Sequence, residues 1–257
     1  MNRRELIGIA AAAGLSGAAV TAVAAPKQST FVLVHGAWHG GWCYKRVAQQ
    51  LRDNGHRVYA PTLTGVGDRS HLATREVNLT TQVTDIVNLL RWEELRDIVL
   101  VGHSYGGMVI SGVAEAVPAG TIASIIYLDA FLPENNKCLY DYAPPPPEVL
   151  LEQMRSGMAT PRSAANFGVN QRDRAWVDAQ CTPHPVNCFT ERMKLTGARE
   201  RIARKSYVLA TGWNGVFGSF ADALRRDSTW QVREMPYGHD LMVDAPAELA
   251  HLLETLS

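Results

Sequence analysis

The sequence predicts an α/β fold in which a mostly parallel, twisted sheet carries helices on both faces. Short apolar runs alternate along the chain with longer segments of helical periodicity, a pattern typical of strand–helix–strand units. Residues 98–101 are apolar throughout, as expected of a strand buried on both faces of such a sheet. With 257 residues, 46% of them hydrophobic, the chain is long enough for one domain of this class with an insertion.

The elements follow from periodicity, taken in chain order. We expect strands at residues 31–34, 57–60, 98–101, 122–128, 207–210 and 230–235, and helices at 44–54, 80–94, 106–117, 220–226 and 246–256. Gly55 is expected to end the first helix, and Thr80 or Thr81 to cap the second. The alternation stops between residues 133 and 199, where four consecutive prolines precede helical fragments. This divides the chain into a core, residues 26–132 and 200–257, and an inserted cap, residues 133–199.

The first 25 residues have the pattern of an export signal. Arg3 and Arg4 precede an apolar run of small residues, and Ala22-Val23-Ala24 resembles a cleavage site. Paired arginines in this position are typical of bacterial twin-arginine signals, which predicts a periplasmic or secreted protein. The alternative is a membrane anchor, although the run is only marginally apolar for a span.

The charge balance gives little reason to expect a macromolecular partner. Basic and acidic residues number 25 each, so no overall field would draw the chain to nucleic acid or to an anionic membrane. A neutral small molecule is the partner that this composition favours.

Four cysteines in an exported protein raise the question of a disulfide. Cys181 and Cys188 lie seven positions apart in a loop that contains proline, and a bridge between them would contribute about 2 to 3 kcal/mol in the chain-entropy model. The alternative is four unpaired thiols. Cys43 and Cys138 are expected to be free.

A serine between two glycines is the strongest chemical motif. Gly102-His103-Ser104-Tyr105-Gly106 lies between a predicted strand and a predicted helix, where a sharp turn would lift the Ser104 hydroxyl out of the sheet as a nucleophile. Small residues are needed because the serine is held in a strained conformation close to the neighbouring backbone. The alternative is a purely structural turn.

A serine nucleophile needs a base, which in this arrangement comes after the last strand. His239 follows the 230–235 strand by a short loop and is the candidate. The other histidines are expected at the surface or in packing, including His103 beside the serine. The oxyanion of the intermediate needs two backbone N–H donors, for which Ala37, after the first strand, and Tyr105 are the candidates.

Three segments carry a family resemblance: His35-Gly36-Ala37-Trp38-His39-Gly40-Gly41-Trp42, Gly102-His103-Ser104-Tyr105-Gly106-Gly107 and Gly238-His239-Asp240. From residue 31 to the C-terminus, most weakly through the cap, the chain resembles the α/β-hydrolases that include bacterial carboxylesterases, plant methyl-ester esterases and hydroxynitrile lyases. The resemblance implies an α/β-hydrolase fold, a serine–acid–histidine triad, no metal or cofactor, and ester hydrolysis.

Two departures disfavour the lyase branch. The lyases carry threonine where Gly36 stands, and a lysine that stabilises departing cyanide where Asp240 stands. A carboxylate at the second position would repel cyanide.

The catalytic acid is not where most of the family has it. After the 207–210 strand the chain reads Thr211-Gly212-Trp213-Asn214-Gly215, without a carboxylate. Asp129, at the end of the strand that follows the nucleophile helix, can reach the Nδ1 side of His239 and is the preferred candidate. Asp222, Asn214 or the absence of an acid are the alternatives, and Asp129 could also merely close its strand.

Together these residues predict a serine carboxylesterase that acts on a small hydrophobic or aryl ester through an acyl-enzyme on Ser104. The candidate pocket residues are aromatic, although core packing would explain each of them equally well. They are Trp38, Trp42, Tyr105, Phe131, Tyr140, Tyr142 and Trp176. His35 and His39 alone are weak grounds for a metal site. The alternative functions are cleavage of lactones or carbon–carbon bonds by the same triad, and ligand binding without catalysis.

Overall fold

A six-stranded, wholly parallel sheet forms the centre of the molecule in the computed structural model, which describes residues 28–257. The predicted export signal, residues 1–25, lies outside the described residues. The strands within that range are β1 (Thr30–Val34), β2 (Arg57–Tyr59), β3 (Ile98–His103), β4 (Ile122–Leu128), β5 (Met158–Ala159), β6 (His184–Pro185), β7 (Arg204–Ala210) and β8 (Trp230–Met235). The large sheet has the order β2-β1-β3-β4-β7-β8, and β5 pairs with β6 in a separate antiparallel ribbon.

Helices cover both faces of the sheet. They are α1 (Lys45–Asp53), α2 (Leu79–Trp92), α3 (Gly106–Ala116), α4 (Pro147–Ser156), α5 (Arg174–Gln180), α6 (Asn187–Thr190), α7 (Gly218–Leu224), α8 (Leu241–Asp244) and α9 (Pro246–Thr255). Short 3-10 helices lie at Gly41–Tyr44, Gly67–Leu72, Leu139–Asp141, Ala164–Phe167 and Arg199–Arg201. Apolar side chains of α2, α3 and α7 pack on one face of the sheet, and those of α1, α8 and α9 pack on the other.

The register of the central strands brings the reactive segments to one edge. Val34 pairs with Gly102, and His103 pairs with Leu128, so β1, β3 and β4 end at nearly the same level. Every residue of β3 is buried. Burial of its apolar side chains on both faces of the sheet stabilises this strand at the centre. The residues that follow these three strands therefore meet at the carboxyl edge of the sheet.

The predicted α/β class and strand order along the chain are confirmed, with small shifts at the ends. β7 begins at Arg204, three residues before the expected start, because its first residues pair with β4 despite being polar. The expected cap of the second helix is wrong: Asn78, not Thr80 or Thr81, precedes it. The Asn78 side chain accepts a hydrogen bond from the Thr81 backbone N–H at 2.9 Å, so asparagine does what a threonine was expected to do.

The segment between β4 and β7 lies against the carboxyl edge at several points. Trp38 Nε1 donates to the carbonyl of Ala159 at 3.0 Å, and the backbone N–H of His239 donates to that of Phe167 at 2.8 Å. Arg46 and Asp173 add a two-pronged ion pair with hydrogen bonds of 2.7 and 3.0 Å. The division into core and cap at residues 133 and 199 stays a prediction.

The candidate disulfide between Cys181 and Cys188 is not formed, and all four cysteines are free. Cys188 is buried among the side chains on the α2 and α3 face, with Sγ 3.8 Å from the carbonyl oxygen of Val77. Cys181 instead packs with the cluster on the opposite face. Although the two cysteines are close in sequence, the chain between them crosses from one hydrophobic cluster to the other, so they cannot pair.

No helix within residues 28–257 has both the length and the hydropathy that crossing a membrane requires.

Candidate active site

Ser104 occupies a sharp turn between β3 and α3. Its φ of 53° lies in the left-handed region, which is unfavourable for a residue with a side chain. Its carbonyl accepts hydrogen bonds from Gly107 and Phe131, at 3.0 and 3.1 Å, and these hold the turn. A Cβ at Gly106 would lie 2.7 Å from the carbonyl oxygen of Val34, so glycine is required for α3 to begin so close to β1.

His239 lies in the loop after β8 and is almost fully buried. Its Nδ1 lies 2.6 Å from Asp129 Oδ2, which fixes the ring and its tautomer. Phe217 stacks on the ring with the planes 8° apart. Ser104 and His239 line the same cavity without a direct hydrogen bond between them, and such bonds are often long in enzymes before substrate is bound.

Close backbone contact fixes the loop before this histidine. A Cβ at Gly238 would lie 2.4 Å from the carbonyl oxygen of Gly168, so only glycine allows the two segments to approach. The backbone N–H of His239 then reaches the carbonyl of Phe167.

Asp129 is the only one of the acid candidates that contacts the histidine. It is fully buried just after β4, with a φ of 42°. Its Oδ1 accepts from the Ala210 N–H at 3.1 Å, and its Oδ2 accepts from Trp213 Nε1 at 2.9 Å as well as from His239. Three donors satisfy this buried carboxylate, as a buried charge requires.

The alternatives for the acid are placed elsewhere. Asp222 is exposed on α7 and pairs with Arg225 at 2.5 Å. Asn214 lines the cavity but makes no hydrogen bond to His239. Sequence reasoning missed Trp213 as a donor to Asp129, and the only signal was a tryptophan in the loop where the family usually has its aspartate.

Ala37 and Tyr105 line the cavity on either side of the serine. No hydrogen bond to another described residue engages the backbone N–H of either one. Two free donors beside Ser104, one of them at the start of α3 where the helix dipole is positive, can receive a developing oxyanion.

A cavity of about 310 Å³ adjoins these groups. Four of the pocket residues expected from the sequence line it: Trp38, Tyr105, Phe131 and Tyr140. The other lining residues are mostly apolar or aromatic, and they include Leu139, Ala143, Pro145, Pro146, Val149, Phe167, Phe189, Trp213, Val216 and Phe217. Among the lining residues that the structure describes, Arg162 is the one whose side chain carries a permanent charge.

Three aromatic residues of the expected pocket lie elsewhere. Trp42 stacks on His39 with ring centroids 5.1 Å apart and meets the edge of Trp176, so neither reaches the cavity. Tyr142 packs against Phe131 and Phe220 without lining the cavity. Tyr105 lines the cavity, and its buried phenol donates to Gln82 Oε1 at 2.7 Å.

His35 is unsuited to metal binding because both ring nitrogens are occupied. Nδ1 bonds to the carbonyl of Gly36 at 2.8 Å, and Nε2 accepts from the Leu63 N–H at 3.0 Å. Burial lowers the pKa of His35 to about 4, so this ring is neutral. Within residues 28–257 no three His, Cys, Asp or Glu side chains are grouped to hold a metal ion.

Known proteins are similar to this chain along most of its length. A family model described as the alpha/beta hydrolase family matches residues 31–252. The carbendazim hydrolyzing esterase of Nocardioides sp. (strain SG-4G) is 43% identical over 242 residues, which cover 89% of this chain and 100% of that protein. Methylesterase 10 of Arabidopsis thaliana is 26% identical over 88% of this chain and 91% of its own length.

A solved structure gives the same result. An extracellular alpha/beta-hydrolase from a Paenibacillus species, described as sharing structural and functional homology with tobacco salicylic acid binding protein 2, superimposes with a TM-score of 0.77. It is 25% identical in sequence, and the match covers 89% of this chain and 99% of that one. The resemblance and the fold predicted from the sequence are confirmed, and the chain belongs to the alpha/beta hydrolase family.

Proposed function

We propose that this protein is a serine carboxylesterase that hydrolyses small hydrophobic or aryl esters through an acyl-enzyme on Ser104. The observation that carries the proposal is the 2.6 Å contact between His239 Nδ1 and Asp129 Oδ2, beside the cavity that Ser104 lines. The esterase and methylesterase relatives support carboxylic ester hydrolysis as the class of reaction.

The mechanism follows from the tautomer that Asp129 imposes. Because the carboxylate accepts the Nδ1 proton, His239 keeps Nε2 as its basic nitrogen. Nε2 removes the Ser104 hydroxyl proton as Oγ attacks the ester carbonyl, and Asp129 stabilises the imidazolium that forms. The backbone N–H groups of Ala37 and Tyr105 receive the oxyanion.

Two half-reactions complete the cycle. The tetrahedral intermediate collapses, the bond to the alkoxy oxygen breaks, and His239 returns the proton to the departing alcohol. Water then loses a proton to His239 and attacks the acyl-enzyme, and the second collapse releases the carboxylic acid and returns the proton to Ser104.

The lining of the cavity supports an apolar substrate. About 310 Å³ of space walled by aromatic and aliphatic side chains suits a small ring or short chain. Tyr140, Pro145 and Phe167 contribute to this wall, so we propose that residues 133–199 act as a cap over the substrate. Carbendazim, which the Nocardioides relative hydrolyses according to its name, is a suitable first compound to assay.

We also propose that the protein is exported by the twin-arginine route. The sequence pattern of residues 1–25 supports this, and the Paenibacillus relative is described as extracellular. Replacing both Arg3 and Arg4 by lysine should retain the protein in the cytoplasm, which cell fractionation would measure. Unchanged export of that variant would contradict the proposal.

Labelling with a fluorophosphonate probe tests the function directly. We expect the wild type to be labelled at Ser104 and to hydrolyse a series of p-nitrophenyl esters, with S104A inactive and unlabelled. Ser219→Ala, at an exposed position outside the cavity lining, is the matched control and should behave as the wild type. A wild type that is neither labelled nor active on esters would instead indicate a noncatalytic binding protein.

A further inference from the structure

A buried group of ionisable side chains lies behind the proposed triad, and the role inferred for it rests on the function proposed above. His39, His103 and Asp240 are 2%, 1% and 0% exposed, and none of them lines the cavity. Each is a close chain neighbour of a reactive residue: His103 precedes Ser104, Asp240 follows His239, and His39 lies two residues after Ala37. Substrate does not touch these side chains, so any role in the reaction acts through their neighbours.

Hydrogen-bond geometry fixes the protonation of His39. Its Nδ1 lies 2.8 Å from the carbonyl oxygen of Ala37, which can only accept. Its Nε2 lies 3.1 Å from Asp240 Oδ2. Nδ1 must therefore carry a proton, and Nε2 carries a second one when Asp240 is ionised, which makes His39 an imidazolium paired with a carboxylate. Burial opposes this charge, yet the Asp240 carboxylate outweighs burial and raises the pKa of His39.

The carboxylate is charged for the same reason. Burial alone would raise the pKa of Asp240, but His39, through its charge and its hydrogen bond, holds that pKa well below its usual range. Asp240 Oδ2 carries the bond to His39, whereas Oδ1 has no hydrogen-bond partner among the described residues and lies 3.8 Å from His103 Nε2. The His39 bond is therefore the one that compensates the buried carboxylate.

His103 is neutral, and it bonds to the loop after β8 that carries His239 and Asp240. Its Nε2 lies 3.0 Å from the carbonyl oxygen of His239, so Nε2 carries the proton. Burial, with the neighbouring His239, keeps the pKa of His103 well below its usual value. The backbone of His239 is thus fixed at both ends, by its N–H to Phe167 and by its carbonyl to His103.

We propose that the His39–Asp240 ion pair is a positioning element for catalysis, which fastens the loop carrying the His239 base to the loop carrying the Ala37 oxyanion donor. One ring bonds to the carbonyl of Ala37 and to the side chain next to His239, a span of 201 residues in sequence. Base and oxyanion donor must keep a fixed separation while charge moves between them, and small displacements of such groups are costly in turnover.

Other titratable groups near the pair do not share its proton. Cys43, Tyr44 and Cys181 lie in the field of Asp240, and burial raises the pKa of each, that of Cys181 to about 12. His35 and His103 are neutral because burial lowers their pKa. His239 is the one neighbour whose protonation changes during the cycle, so loss of the Asp240 charge should alter the pH profile of kcat.

Two substitutions of Asp240 separate charge from packing. D240A leaves the His39 ring without its partner, whereas D240N can still donate to a neutral His39 Nε2 and keeps the loops joined. We expect kcat of D240A to fall roughly ten- to a hundredfold with KM nearly unchanged, and D240N to recover much of this loss with a shifted pH profile. Rates are normalised to the sites labelled by fluorophosphonate, well below each melting temperature.

The control is a second histidine–carboxylate pair far from the site. His56 Nε2 lies 3.3 Å from Glu254 Oε1, near the amino edge of the sheet. E254A should lower stability without changing kcat per labelled site. A kcat for D240A within about twofold of the wild type, with the pH profile unchanged, would overturn the proposal.

Nitrogen-15 NMR of the wild type gives a test that needs neither a variant nor a substrate. We expect both ring nitrogens of His39 to stay protonated at about pH 8, where an ordinary histidine, with a pKa of about 6.5, is mostly neutral. A singly protonated His39 there would also overturn the proposal. If instead the doubly protonated ring is found in a protein without esterase activity, the proposed function fails and the ion pair stands.

Discussion

Replacing Asp129 by asparagine is the most informative single change in this protein. The carboxylate faces three donors: the Ala210 N–H at Oδ1, and Trp213 Nε1 and His239 Nδ1 at Oδ2. An amide has one acceptor oxygen. If that oxygen faces Ala210, the NH₂ group opposes the Nδ1–H of His239, and the ring takes the other tautomer. If it faces His239, the NH₂ group opposes the Ala210 N–H instead.

The magnitude follows from what the wrong tautomer does. With Nε2 protonated, His239 cannot take the Ser104 proton. The same exchange in the Ser-His-Asp protease triad lowers kcat about 10⁴-fold, which corresponds to roughly 5 kcal/mol of transition-state stabilisation. We therefore expect kcat of D129N to be roughly three to four orders of magnitude below that of the wild type.

The assay is turnover of a p-nitrophenyl ester by D129N beside D222N. Asp222 is exposed and pairs only at the surface, where such a bond contributes little to stability. D222N should therefore match the wild type. Full activity in D129N would refute the assignment of the acid, and loss of activity in D222N with D129N intact would transfer that role to α7.

Three further changes test the site and its support. Trp213→Phe removes one donor to the acid, and kcat should fall roughly tenfold because the carboxylate is less firmly held. Gly36→Ala places a Cβ 2.9 Å from that of Ser104, so kcat/KM should fall, and the free energy of unfolding should fall by about 1 to 3 kcal/mol, measured as a lower melting temperature. Asp173→Asn breaks the pair with Arg46, whose hydrogen bonds hold the pKa of Asp173 below its usual range. That depressed pKa stabilises the fold above about pH 4 and ceases to do so in stronger acid, so the difference in melting temperature between D173N and wild type should shrink on acidification.

Local chemistry made the fold and the reactive turn predictable. The apolar run that became β3, and glycines on both sides of Ser104, are features of adjacent residues. The positions of His239 and Asp129 could be predicted because parallel strands end at the same edge of a sheet. A residue just after such a strand therefore lies at that edge. Because no carboxylate follows β7, Asp129 was the preferred candidate for the catalytic acid.

What the sequence did not predict depends on contacts between distant segments. The bond from Trp213 to Asp129 spans 84 residues, and that from His39 to Asp240 spans 201. Trp42 was expected in the pocket because it is aromatic, yet its ring stacks on His39 instead. Side-chain direction in a turn depends on backbone angles that residue spacing does not specify.

The tight approach of Gly238 to Gly168 limits how substrate can enter. A hinge located there would have to separate Phe167 from the backbone of His239, and the base would be displaced each time the path opened. Val149 and Val216 line the same cavity and are 40% and 49% exposed, so we expect the path for substrate to open beside these two side chains. Ester could then enter and products leave without displacing the backbone of His239.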